Sequence, residues 1–138
     1  MIFDIIRNGF SLEVIVSLMA RVFVIFCVMP IHEFAHAFVA YKLGDDTARL
    51  SGRLTLNPLA HVDLVGALMI FLVGFGYAKP VPVNPRNFKN PKGGMAATAL
   101  AGPISNLIMA FIFLLPYCGI RSLYNGSSEL VLAIAAFF

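Results

Sequence analysis

Charge is scarce in this chain of 138 residues: Lys, Arg, Asp and Glu make up 12%, against 59% hydrophobic residues and a mean hydropathy of +0.86. That balance lies outside the range of a soluble domain of this length and reads as an integral membrane protein. Cysteine is also rare. Cys27 sits inside an apolar run and Cys118 just past another, which excludes a disulfide framework and a Cys-x-x-Cys metal pair. The net charge of +3 lies in loops without a dense basic face, so nucleic acid is excluded as a partner and anionic lipid headgroups fit instead. The N-terminus lacks a basic patch, short apolar core and small-residue cleavage site; Asp4 and Arg7 precede a long apolar run, and the first span is expected to stay. Aspartate, finally, is missing everywhere after Asp63.

What is present is His32-Glu33-Phe34-Ala35-His36, an HExxH motif inside an apolar stretch. Residues four apart share a helix face, so His32 and His36 can offer two imidazole nitrogens to one Zn²⁺ ion, with Glu33 beside them as a base toward water. Polar residues in apolar spans are rarely idle. A catalytic zinc needs three protein ligands and an open position, so one ligand is missing from the motif. Asp63 reads first as a helix N-cap, His61 as a loop residue or a support for the ligands, and Asp45 and Asp46 as turn residues. Asn106 has two readings, a hydrogen bond between helices or a catalytic amide donor toward a developing oxyanion.

The pattern predicts a helix from Ser11 to Leu43, capped by Ser11 and stopped by Gly44, longer than one crossing needs. Pro30 either kinks it or opens a second helix, and Arg21 should face the protein interior or snorkel outward. Period-two alternation from Thr47 to Leu56 predicts a short strand whose edge could hold an extended substrate segment, or a surface hairpin. A second helix is expected from Asp63 to about Tyr77, short for a crossing. The proline-rich basic loop Lys79–Lys92 suggests a cytoplasmic face, while Lys42, Arg49 and Arg53 compete with it one span earlier. A third helix is expected from Met95 to Tyr117, with Gly94, Thr98, Gly102 and Asn106 forming a small-residue stripe that another helix can approach. Leu130–Phe138 looks like the start of a fourth span.

Taken together, His32–Ala37, Leu43-Gly44-Asp45, Gly52–Pro58, His61-Val62-Asp63, Ala78–Asn84 and Gly102-Pro103-Ile104-Ser105-Asn106 resemble the site-2 protease family, in its compact prokaryotic branch. The resemblance covers about residues 10 to 117. It implies intramembrane zinc proteolysis of membrane-protein substrates, with His32 and His36 as ligands, Glu33 as general base and the Gly-Pro-x-x-Asn segment near the active site. It also implies a third ligand from an aspartate in a downstream Asp-Gly motif, which nothing after Asp63 supplies.

The expectation is therefore an all-α integral membrane protein with three to four transmembrane helices and a short β strand or hairpin after the HExxH helix. Residues 1–138 read as one membrane-embedded domain, the N-terminal part of a longer protease core, multi-pass in a prokaryotic cell membrane. The rival expectation is a non-catalytic membrane protein with a structural or weak metal site. Oligomeric state is left open.

Overall fold

The structure is a computed structural model that describes residues 11–73 and 77–123. Ser11 opens the first helix from an extended conformation, its hydroxyl accepting from the Val14 N–H, and Glu13 complements the first turn. Helix α1 (Leu12–Phe23) passes through a π turn (Val24–Val28) into α2 (Met29–Lys42) without interruption. Pro30 neither breaks nor restarts the helix. The widened turn just before it, in which Met29 N–H reaches Val24 O, absorbs the missing donor and the bulk of the ring, and Pro30 is fully buried.

Gly44 ends α2 as expected. At φ +105 it adopts the left-handed conformation, Gly44 N–H bonds Tyr41 O, and Asp45 N–H reaches back to Ala40 O.

The expected strand from Thr47 to Leu56 is not there, and no strand occurs among the described residues. Residues Thr47–Leu50 instead form a helical turn, α3. Two local interactions outweigh the alternation. The Asp45 carboxylate accepts from Thr47 N–H and hydroxyl at 3.1 and 2.5 Å, and Gly52 at φ +68 closes the turn as Arg53 N–H returns to Ala48 O at 2.8 Å. No sheet edge is available here to pair with a substrate.

A further turn, α4 (Pro58–His61), packs against the π turn and α2. Asp63 then caps α5 (Leu64–Leu72), accepting from Val65 and Gly66 N–H groups at 3.0 Å. This helix is shorter than the expected Asp63–Tyr77; residues 74–76 lie outside the described residues, and Tyr77 is not helical. After a 3₁₀ turn (Pro85–Asn87), helix α6 runs over Pro91–Leu123. It begins four residues before the expected Met95, because Asn90 caps it through its side chain on Gly93 N–H and Pro91 suits the first turn. Leu130–Phe138, the expected start of a fourth span, lies outside the described residues.

Among the described residues, two helical stretches are long and apolar enough to cross a membrane, Leu12–Lys42 and Pro91–Gly119, and only 17% of each apolar window is covered by protein. A soluble protein would bury such helices. They pack antiparallel: His36 lies by Thr98, and Phe23 meets Phe113 edge to face at 5.2 Å.

Candidate metal centre

The small-residue stripe predicted on α6 is the face that meets α2: Gly94, Thr98, Ala101 and Gly102 are buried. Gly94 clears the Phe88 ring, and Gly102 clears the histidines. A Cβ at Gly102 would stand 2.5 Å from His32 Nε2 and collide with His36 Nε2. The space above Gly102 is therefore shaped for two imidazoles.

Those imidazoles converge. The Nε2 atoms of His32 and His36 face each other at 3.0 Å, with ring centroids 4.7 Å apart and planes 81° apart. His36 Nδ1 lies 2.6 Å from Thr98 O. A carbonyl can only accept, so Nδ1 carries the proton and the Nε2 lone pair is left facing His32. This is how metal-binding histidines are commonly held, with the remote nitrogen fixed by a backbone acceptor. Two nitrogens at about 2.0–2.1 Å from a tetrahedral zinc stand about 3.3 Å apart, within a few tenths of an ångström of the spacing found. His32 Nδ1 is buried with no partner among the described residues. Two ligands of a zinc site thus fit the arrangement.

No third ligand joins them: among the described residues there is no cluster of three or more His, Cys, Asp or Glu side chains able to hold a metal. The alternatives make other contacts, although His61 Nδ1, like His32 Nδ1, is buried with no partner among the described residues. His61, fully buried, donates from Nε2 to Thr55 O at 2.7 Å, and Asp63 caps α5. Asp45, also fully buried, accepts from Thr47, from Asn84 N–H at 2.7 Å and from Asn87 Nδ2 at 2.6 Å. Burial opposes ionisation of Asp45, but these hydrogen bonds outweigh it and hold the carboxyl below its usual value. Asp46 pairs with Arg49 at 2.9 Å.

Glu33, next to His32 in α2, is half-buried. Asn106 lies one turn beyond Gly102 on α6 and is exposed. Sequence reasoning missed the Thr98 carbonyl, since a backbone acceptor leaves no mark in residue type; the stripe containing Thr98 was the available signal.

The chain is 58% identical to "Putative zinc metalloprotease YwhC" of Bacillus subtilis over 81 residues, 59% of this chain and 37% of that relative. Two mycobacterial proteins with the same description, both named Rip2, are also similar. The Mycolicibacterium smegmatis protein is 33% identical over 89 residues and the Mycobacterium tuberculosis H37Rv protein 34% over 88 residues, each covering 61% of this chain and 34% of the relative. No family profile and no solved structure matches the chain. The chain is thus similar to proteins described as putative zinc metalloproteases and spans about a third of their length.

Proposed function

We propose that this chain carries the histidine pair and the general base of an intramembrane zinc metalloprotease, which hydrolyses peptide bonds in or near the membrane-spanning segments of other proteins. The observation that carries the proposal is the 3.0 Å approach of His32 Nε2 and His36 Nε2 above Gly102, on a helix apolar enough to cross a membrane. His32 and His36 would hold the metal. Zinc, when bound, supplies a Lewis acid that polarises a peptide carbonyl and makes water more acidic.

The remaining work falls to side chains of this chain. Glu33 takes a proton from the attacking water on its carboxylate oxygen and hands it to the leaving amine nitrogen. The Thr98 carbonyl keeps the His36 ring in one tautomer and orientation. Asn106 offers an amide N–H on the α6 face that continues from Gly102, where it can hold a substrate carbonyl or the oxygen on which charge develops. A substrate helix must unwind before its carbonyls are open to attack, since its own hydrogen bonds cover them. The two apolar helices and the prokaryotic relatives support a location in a prokaryotic cell membrane as a multi-pass protein.

The test uses full-length protein purified from membranes. Wild type is expected to hold near-stoichiometric zinc and cleave a membrane substrate, Glu33→Gln to keep zinc and lose cleavage, and His36→Ala to lose zinc. Undiminished cleavage by Glu33→Gln ends the assignment. A second reading, a non-catalytic membrane protein with a structural or weak metal site, is favoured by the lack of a third ligand among the described residues; zinc without cleavage in wild type would select it.

A further inference from the structure

We infer that the last turns of α2, on the side away from α6, bind an anionic phospholipid, with Lys42 and Arg49 taking the headgroup phosphate and the Phe34–Phe38 stack taking an acyl chain. The inference rests on the membrane reading above and not on catalysis.

Helix α2 has two faces. At about 100° per residue, Phe34, Phe38, Tyr41 and Lys42 fall within an arc of about 100°, and His32, His36 and Ala40 lie on the opposite side, toward α6. On the first arc the rings of Phe34 and Phe38 stack with centroids 5.7 Å apart. The Lys42 ammonium stands 5.4 Å from the Phe38 centroid, and the Arg49 guanidinium, on α3, stands 5.3 Å from the centroid of the Tyr41 ring. Residues three apart on a helix are neighbours, about 5–6 Å from each other. Phe38 and Tyr41 therefore hold the two cations side by side at the end of an aromatic ladder. Asp46 contacts Arg49 at Nε at 2.9 Å and leaves half of the Arg49 side chain exposed; among the described residues Lys42 has no carboxylate partner.

The end of the molecule that carries this pair is basic. Asp45, just past α2, accepts from Asn84 and Asn87, just before α6, and Gly44 stands against Asn87 O. The basic groups that the sequence sets on either side of α5 thus lie at one end of the α2–α6 pair, Lys42 and Arg49 with Arg86, Lys89 and Lys92. All five are exposed. Against them stand Asp46, already paired, and Asp45, buried with its oxygens occupied. Such an excess of positive charge beside apolar helices attracts anionic lipid.

A single molecule matches both halves of the surface. Phe34 and Phe38 belong to the stretch Leu12–Lys42, long and apolar enough to cross a membrane. A phosphodiester at Lys42 and Arg49, with its acyl chain running back along Phe38 and Phe34, satisfies the cations and covers the rings. The planar Arg49 fork suits phosphate oxygens, and the Lys42 stem lies along apolar surface while its ammonium reaches the headgroup. An acidic peptide would answer the charge alone. The site faces away from His32 and His36 and is separate from the metal centre.

The test is lipid binding to the full-length protein in detergent, read by native mass spectrometry, with dioleoyl phosphatidylglycerol and dioleoyl phosphatidylcholine as probes. Wild type is expected to bind the anionic lipid on the order of 10-fold more tightly, and Lys42→Gln with Arg49→Gln to lose most of that preference while phosphatidylcholine binding is unchanged. Phe38→Leu keeps apolar bulk but removes the ring beneath Lys42, and is expected to weaken phosphatidylglycerol binding about 2- to 5-fold. These side chains are exposed, so the fold is retained. Equal binding of the two lipids by wild type overturns the inference. So does a double variant that keeps the wild-type preference, or that loses no more of it than Lys89→Gln with Lys92→Gln, because the attraction is then diffuse charge. Displacement of phosphatidylglycerol by an equal charge concentration of polyglutamate makes the surface a site for acidic peptide and overturns the lipid assignment. Zinc and cleavage are measured on the same preparations; their absence removes the protease and leaves this inference standing.

Discussion

Two polar clusters lie on either side of Lys42, and they treat hydrogen bonding in opposite ways. Beyond Lys42, the fully buried Asp45 carboxylate is saturated by donors from Thr47, Asn84 and Asn87. Before it, two half-buried imidazoles turn their Nε2 atoms on each other, leave His32 Nδ1 without a partner among the described residues, and stand beside a glycine that keeps their space clear. A saturated buried carboxylate has nothing left to offer a ligand and fastens loops together. An under-committed imidazole pair in a cleared space is built to receive something.

The largest expected effect breaks the histidine side alone. Gly102→Ala puts a methyl where the two imidazoles meet, and displaced ligands should reduce proteolysis on the order of 100-fold, with bound zinc lost in parallel. Membrane yield and thermal stability should change far less, because the collision is with the rings rather than with the α2 backbone. Cleavage near the wild-type level would mean that the pair is not where the metal sits.

Asp45→Ala should do the reverse, lowering stability by about 3 kcal/mol in a detergent unfolding assay while zinc content holds, since several donors lose one buried acceptor. Its pH dependence sharpens the point. The folded carboxyl is held below its ordinary value, so Asp45 contributes fully above the unfolded value of about 3.9 and loses that contribution as pH falls through the lower folded value. The stability gap between wild type and Asp45→Asn should stay constant from neutrality to about pH 4 and narrow only below it. A gap that closes between pH 6 and 7 would show that another group controls the latch.

Asp63→Ala is the smallest change, removing the α5 cap at a cost of about 1 kcal/mol with zinc and cleavage retained. A loss of zinc in this variant would make Asp63 a ligand and blur the distinction between the two clusters.

Much of this was legible in the sequence wherever a residue acts on its own neighbours. Ser11, Gly44 and Asp63 stand where start and stop chemistry places them; HExxH supplied one face of the site, the small stripe a surface that some helix could approach, and only the family resemblance set the Gly-Pro-x-x-Asn segment near the site. Alternation over Thr47–Leu56 misled, because periodicity alone does not register a side-chain cap from Asp45 or a left-handed Gly52, and here both acted on the same short stretch. The start of α6 was missed for a similar reason: Pro91 and Lys92 read as the end of the proline-rich loop until Asn90 is recognised as a cap. The pairing of Arg21 with Ile70 joins residues 49 apart in the chain, and its acceptor is a carbonyl that every residue carries.

The π turn at Val24–Val28 has a consequence for the motif that begins four residues downstream. A π turn takes up one residue more than α spacing allows, so it sets the phase of all that follows. Winding those same residues as ordinary α-helix, with none removed, would swing α2 by about 100° relative to α1. His-Glu-Phe-Ala-His would survive letter for letter, yet its imidazoles would point away from Gly102, and the motif would be inert by rotation alone.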